Sequence, residues 1–218
     1  MRLTPTLGPT VFLFLMASLS LATAAQSPQA EAIERFEVFA NGEAGYHTIR
    51  IPALVVTPEG SVLAFAEGRK DSSRDETDTD LIYRRSTDGG ETWSDIQIIH
   101  RAAGGEGKIG NPVPIVDRKA GHVVLLFTRD SGEAVFRTIG RQDGQTWSEP
   151  VEITETFNGF DYDMKRMATG PGHSIQMQSG RLVAPIYVSN MSVHAVRQIN
   201  DDREKVRKRP ATYRAGVI

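Results

Sequence analysis

Short runs of alternating apolar and polar residues recur along the chain, separated by clusters of turn residues. The runs fall at 36–39, 51–56, 62–66, 81–85, 96–99, 113–116, 123–128, 134–138, 174–177, 182–188 and 213–218. Side chains of a strand point to alternate faces, so each run can bury one face and leave the other wet. Between them stand Thr57-Pro58-Glu59-Gly60, Asp88-Gly89-Gly90, Lys119-Ala120-Gly121, Asp143-Gly144 and Ser179-Gly180. Glycine supplies the positive φ of tight turns, and proline and aspartate fix their bends. Strands at short spacing with such turns predict an all-β protein. No long segment of helical period occurs outside the first 25 residues.

Those first residues have a different character. Met1-Arg2 gives a positive start, Val11-Phe12-Leu13-Phe14-Leu15-Met16-Ala17 opens an apolar core running to Leu21, and Ala22-Thr23-Ala24 is a small-x-small cleavage pattern. This is the pattern of a secretory signal peptide. Its core is short for a membrane span; an uncleaved anchor is the alternative. The expected organisation is a signal peptide at 1–25, a polar leader at 26–35 and a β domain from 36 to 218. The mature protein is expected to be secreted or periplasmic, with no membrane span after cleavage.

Composition narrows the chemistry. There is no cysteine, so an exported chain must hold its core without disulfides and has no thiolate nucleophile. The five histidines show no metal-ligand spacing. A net charge of −2, with the basic run at 203–209 interrupted by Glu204 and preceded by Asp201 and Asp202, argues against a nucleic-acid partner.

A repeat is visible. Ser86-Thr87-Asp88-Gly89-Gly90-Glu91-Thr92-Trp93 is echoed by Gly140-Arg141-Gln142-Asp143-Gly144-Gln145-Thr146-Trp147, each followed by serine. A period of about fifty residues with about four strands suits propeller blades. The first octet matches the S-x-D-x-G-x-T-W Asp-box; the second has glycine for the serine and Gln142 for the aspartate. The box is read as structural, with no chemistry at Asp88 or Trp93.

Four ordered segments accompany the boxes. They are Arg50-Ile51-Pro52; Leu63-Ala64-Phe65-Ala66-Glu67-Gly68-Arg69; Ile109-Gly110-Asn111-Pro112-Val113-Pro114-Ile115-Val116-Asp117; and Thr169-Gly170-Pro171-Gly172-His173-Ser174-Ile175-Gln176-Met177 with Gly180-Arg181-Leu182. Alone, Arg50 reads as a surface arginine on an edge strand, since Pro52 lacks a ladder donor. Together with the boxes, these segments resemble the exo-α-sialidases (neuraminidases) of the bacterial and animal type, over about 36–218. The resemblance implies a six-bladed β-propeller of which this chain covers about the first half, truncated at the C-terminus. A small complete β domain is the competing reading.

The resemblance also implies roles. Arg50 is the first of an arginine triad for the sialic-acid carboxylate, which a guanidinium fork matches with two charge-assisted hydrogen bonds. Glu67 is a supporting residue, expected to pair with Arg50 and fix its rotamer. Arg69 adds positive potential beside the carboxylate, and Asn111 faces the N-acyl pocket. In the acidic loop at 70–80, Asp75 is the acid that protonates the leaving glycosidic oxygen, with Asp71 and Asp78 in reserve. Its pKa is expected to be raised by bound substrate or neighbouring carboxylates. The implied reaction is retaining hydrolysis of terminal α-linked sialic acids from a sialylated glycan, through a tyrosine nucleophile and without a cofactor. The tyrosine, its glutamate base and two arginines are expected beyond Ile218, so the chain by itself is expected to be inactive. A non-catalytic glycan-binding propeller and a trans-sialidase are the alternatives; oligomeric state and linkage preference are not legible.

Overall fold

Among the residues described, fourteen strands follow in chain order: β1 (Thr48–Val56), β2 (Val62–Arg69), β3 (Thr79–Ser86), β4 (Gln97–His100), β5 (Ile109–Asp117), β6 (His122–Arg129), β7 (Ala134–Arg141), β8 (Thr146–Trp147), β9 (Val151–Glu152), β10 (Arg166–Thr169), β11 (Ile175–Gln176), β12 (Leu182–Val183), β13 (Pro185–Ser189) and β14 (Tyr213–Val217). They come from a computed structural model that describes residues 33–101, 107–130, 132–159, 163–170, 172, 174–190 and 213–217, the last as backbone alone. The signal-peptide pattern, most of the leader, the basic run at 203–209, Pro171 and His173 lie outside these.

The strands form successive antiparallel sheets. The first is β1-β2-β3-β4. The second is β5-β6-β7-β8, with β9 also on β7; the third is β10-β13-β14, with a separate β11-β12 hairpin. The expected all-β, propeller-type architecture is what the chain adopts, each sheet making one blade.

The blades pack face to face, and the middle one explains how. In β6, Val123, Leu125 and Phe127 join Leu63, Phe65, Leu81 and Tyr83 of the first blade in one buried cluster. Val124 and Leu126 point the other way, into a cluster with Val113, Ile115 and Ala184. A strand buried on both faces reads as a continuous apolar run, and Val123-Val124-Leu125-Leu126-Phe127 is one. Trp147 bridges the first two blades, its ring edge-on to Phe65 and to Tyr83 at 5.6 Å each.

The inner strands share a device at the end that carries the site. Between Arg50 and Ala53 the β1–β2 register shifts, and between Gly110 and Val113 the β5–β6 register shifts in the same way. Two residues of the inner strand thus oppose one of its partner, which is a bulge. Each bulge places a proline, Pro52 or Pro112, where no ladder donor is needed. The residue before it takes positive φ, 58° at Ile51 and 55° at Asn111. At the end of β10, Gly170 before Pro171 repeats this at 48°.

The structure differs from the sequence pattern in places. Residues 36–39 form no strand. Their segment is tied down by side-chain contacts instead: the Val38 carbonyl accepts a hydrogen bond from Arg84 Nη1 at 2.6 Å, and the Arg84 guanidinium lies over the Phe39 ring. The run at 182–188 is two strands. At buried Ala184 the chain passes from pairing with β11 to pairing with β10.

Candidate active site

The site lies where the bulge ends of β1 and β5 meet the loop between β2 and β3. In β2, Glu67 and Arg69 are two residues apart, so they share a face. Both are buried, Glu67 at 0% and Arg69 at 1% exposure. Arg69 Nε and Nη2 donate to Glu67 Oε2 at 3.1 and 2.8 Å. Two buried charges are tolerable only when paired and fully hydrogen-bonded. Glu67 meets the condition across the blade boundary, because its Oε1 accepts the backbone N–H of Asn111 at 3.0 Å. Gly110 leaves room for this: a Cβ there would stand 2.1 Å from Glu67 Oε1.

Glu67 therefore pairs with Arg69, not with Arg50 as the sequence suggested. Arg50 and Glu67 are cross-strand partners in the ladder. The Arg50 side chain instead leaves the sheet at the bulge, 48% exposed.

Arg50 and Arg69 converge on the loop. Arg50 Nη1 donates to the Ser73 carbonyl at 3.2 Å, and Arg69 Nη1 donates to the same oxygen at 2.6 Å. Beside it lies Asp75, whose Oδ1 accepts from Arg69 Nη2 at 2.7 Å and stands 3.8 Å from Arg50 Nη1. Two guanidiniums that meet on one oxygen are placed to hold one anion between them.

The electrostatics of Asp75 run against the sequence expectation. Burial pushes its pKa up, but the charges of Lys108, Arg69 and Arg50 and the Arg69 hydrogen bond outweigh that and hold it below the ordinary aspartate value. The other carboxylates of its loop do not supply the expected rise. For Arg69, burial opposes the charge, but its bonds to Glu67 and Asp75 prevail and raise its pKa.

Asn111 is a junction between blades. Its N–H is bound by Glu67, its Nδ2 donates to Thr128 Oγ1 at 3.2 Å, and its carbonyl accepts from Thr169 Oγ1 at 2.8 Å. Three of its four polar groups are thus engaged inside the protein, where the sequence reading placed a ligand-facing amide. The reserve carboxylate of Asp78 is engaged elsewhere, its Oδ1 accepting from Gly107 N at 2.6 Å, and the Asp71 backbone N–H donates to Thr77 Oγ1 at 3.3 Å.

Sequence reasoning missed Lys108 and the Ser73 carbonyl. Lys108 follows a glycine-rich stretch without pattern, and a backbone carbonyl leaves no mark in sequence. The Glu67–Arg69 pairing did leave one, the two-residue spacing within a strand. Among the described residues, no group of three or more histidine, aspartate or glutamate side chains could hold a metal ion. None of their helices is long and apolar enough to cross a membrane.

Antiparallel blades, with an arginine pair, a buried glutamate and an aspartate gathered at one end of the inner strands, define a propeller-type protein. Residues 60–215 match the family described as BNR repeat-like domain. The exo-alpha-sialidase of Arthroderma benhamiae is 33% identical over 183 residues, covering 69% of this chain and 43% of that protein. Sialidase-3 of Bos taurus is 37% identical over 158 residues, covering 64% and 37%. Among solved structures, the Hadza microbial sialidase Hz136 superposes with a TM-score of 0.60 at 29% identity, over 67% of this chain and 34% of that one. The chain belongs to the sialidase family, and it spans about two-fifths of the length of these curated relatives.

Proposed function

We propose that the protein is a retaining exo-α-sialidase that removes terminal sialic acids from glycoproteins, glycolipids or oligosaccharides. The observation that carries this reading is the convergence of Arg50 and Arg69 on one oxygen position with Asp75 beside it. A sialoside presents a carboxylate next to its scissile bond, so a carboxylate held by the arginines puts the glycosidic oxygen near the aspartate. Arg50 and Arg69 then bind and orient, and Asp75 delivers the proton to the leaving oxygen. Glu67 and Asn111 hold this geometry across the two blades.

Neither Tyr46 nor Tyr83 suits a nucleophile. Burial and the adjacent Asp80 push the Tyr46 hydroxyl well above the usual phenol value, and it donates to Asp80 Oδ2 at 3.0 Å. Burial also raises Tyr83, which donates to Gln97. The tyrosine, its glutamate base and further arginines are assigned to the rest of the whole protein. Assay of the purified 218-residue chain is expected to show no hydrolysis of any sialoside, and turnover by it would overturn that assignment. Export through the signal-peptide pattern at 1–25 completes the proposal.

The acid role has its own test in the whole protein. Asp75→Ala should slow cleavage of a natural sialoglycan by about 10²–10⁴-fold, the usual worth of general-acid catalysis. An aryl sialoside whose phenol leaves without a proton should lose less than about tenfold. Equal losses on the two substrates would remove Asp75 from the acid role.

A further inference from the structure

We infer that the loop tip at 72–76 is an internal ligand of its own site: the Ser73 carbonyl and Asp75 carboxylate occupy the position of the substrate carboxylate, which displaces them on binding. This rests on the reading of the site as a sialic-acid site. The loop is closed at its neck by two bonds, Lys70 N to the Asp78 carbonyl at 2.9 Å and Asp71 N to Thr77 Oγ1 at 3.3 Å. Beyond that neck the tip is largely exposed. The side-chain bonds that tie it to the sheet come from Arg50 and Arg69.

The two carboxylates on Arg69 are unequal. Glu67 has no exposed surface and receives two bonds from the guanidinium. Asp75 is 66% exposed and receives one. Asp75 is therefore the replaceable partner, and Glu67 the permanent one. An arriving carboxylate can take over the Asp75 and Ser73 bonds while Glu67 keeps Arg69 in place. It also brings a negative charge to the cations that now hold the Asp75 proton off. Asp75, ionised and tied down in the empty site, is thereby released to take up a proton from solvent, which it then delivers to the leaving oxygen.

The test is calorimetric titration of the whole protein with N-acetylneuraminate at millimolar concentration. Three forms are compared: the natural sequence, Asp75→Asn and Glu76→Gln. Glu76 lies on the same loop but pairs with Arg74, not with the arginine pair, so its substitution makes the same change in net charge without touching the internal contact. Displacement predicts that D75N binds about tenfold tighter than the natural chain and E76Q within about twofold. D75N binding as the natural chain does, or more weakly, overturns the inference while leaving the sialic-acid reading intact. An equal gain in both variants overturns it too, since general electrostatics then suffices. No binding by any of the three rejects the sialic-acid reading itself. Amide hydrogen exchange gives a second readout: exchange at 72–76 should speed up when the sugar binds, and slower exchange would show the tip closing over the ligand instead.

Discussion

Glu67 bears a charge with no exposed surface, and the site depends on how that charge is satisfied. One oxygen takes the Arg69 guanidinium and the other takes the Asn111 N–H from the next blade. The pair is a poor source of net stability, because desolvating both ions offsets their attraction. Removing one member is another matter, since it strands the other charge in a buried setting. Glu67→Gln keeps the shape and leaves Arg69 with only the exposed Asp75 as counter-ion. It should cost about 3–5 kcal/mol, read as a lower urea midpoint at unchanged slope. A loss below about 1 kcal/mol would mean that Asp75 alone can balance Arg69. At this scale the sequence carried part of the site. The family segments brought Arg50, Glu67, Arg69, Asp75 and Asn111 to notice, and the structure gathers them at one blade end. Partner choice was less visible. A carboxylate on an apolar strand needs a cation, and the sequence offered Arg50, but the bulge at Ile51 turns Arg50 outward and leaves the i, i+2 neighbour Arg69 as the closer cation.

The two boxes show one turn element built by different means. In the first, Asp88 accepts the Thr92 N–H at 3.0 Å, Ser86 Oγ accepts the Gly90 N–H at 2.9 Å, and Trp93 Nε1 donates to the Gly90 carbonyl at 3.0 Å. The Thr92 hydroxyl and amide, with Ser86, hold the Asp88 carboxyl well below the usual carboxylate range. The second box has no aspartate at the matching position and puts Gly140 where the first has serine. The reason lies in Trp147, which rests on Gly140 and faces the first blade. A Cβ on Gly140 would stand 2.8–3.0 Å from its ring. Restoring the motif with Gly140→Ser should therefore destabilise, by about 1–3 kcal/mol as overpacking usually does. Thermal unfolding checks this, and a gain in Tm would show that Trp147 can move aside. Elements were legible in proportion to their length and burial. The long strands β1, β2, β3, β5, β6 and β7 coincide with apolar runs. The two-residue strands β8 and β9 are too short for alternation to register, whereas β11 and β12 lie inside the longer apolar runs at 174–177 and 182–188, and Arg166–Thr169 carries too little pattern to stand out as β10.

Across the molecule, the second box does for the blade boundary what the first does for its own turn. Asp143, which stands where the first box has Gly89, reaches into the first blade. Its carboxylate accepts from the hydroxyls of Thr57 and Ser61 in the β1–β2 turn and pairs with Arg85 of β3. Arg85 Nε also donates to the Asp143 carbonyl at 2.8 Å. The group is largely buried, its side chain 16% exposed. Burial pushes its pKa up, but the Ser61 and Thr57 hydroxyls and Arg85 prevail and hold it below the ordinary value. The sign of the linkage follows. A carboxyl whose folded pKa lies below its unfolded value, about 3.9 for aspartate, adds stability that is fully present above the unfolded value. That stability is lost as pH falls through the depressed folded value, where the folded state also takes up the proton. Asp143→Asn should lower Tm at pH 7, and the gap to the natural chain should narrow steadily below about pH 4. A gap unchanged down to the acid limit would mean that the hydroxyl bonds, which an amide oxygen can also accept, do the holding and the charge does not. Since Glu67 and Asp143 join the same two blades at separate points, D143N should also loosen the Arg50–Arg69 convergence if the blade boundary is cooperative. The same calorimetric titration with N-acetylneuraminate reads that coupling: weaker binding by D143N at pH 7, where the natural Asp143 is ionised, and equal binding if the two contacts act independently.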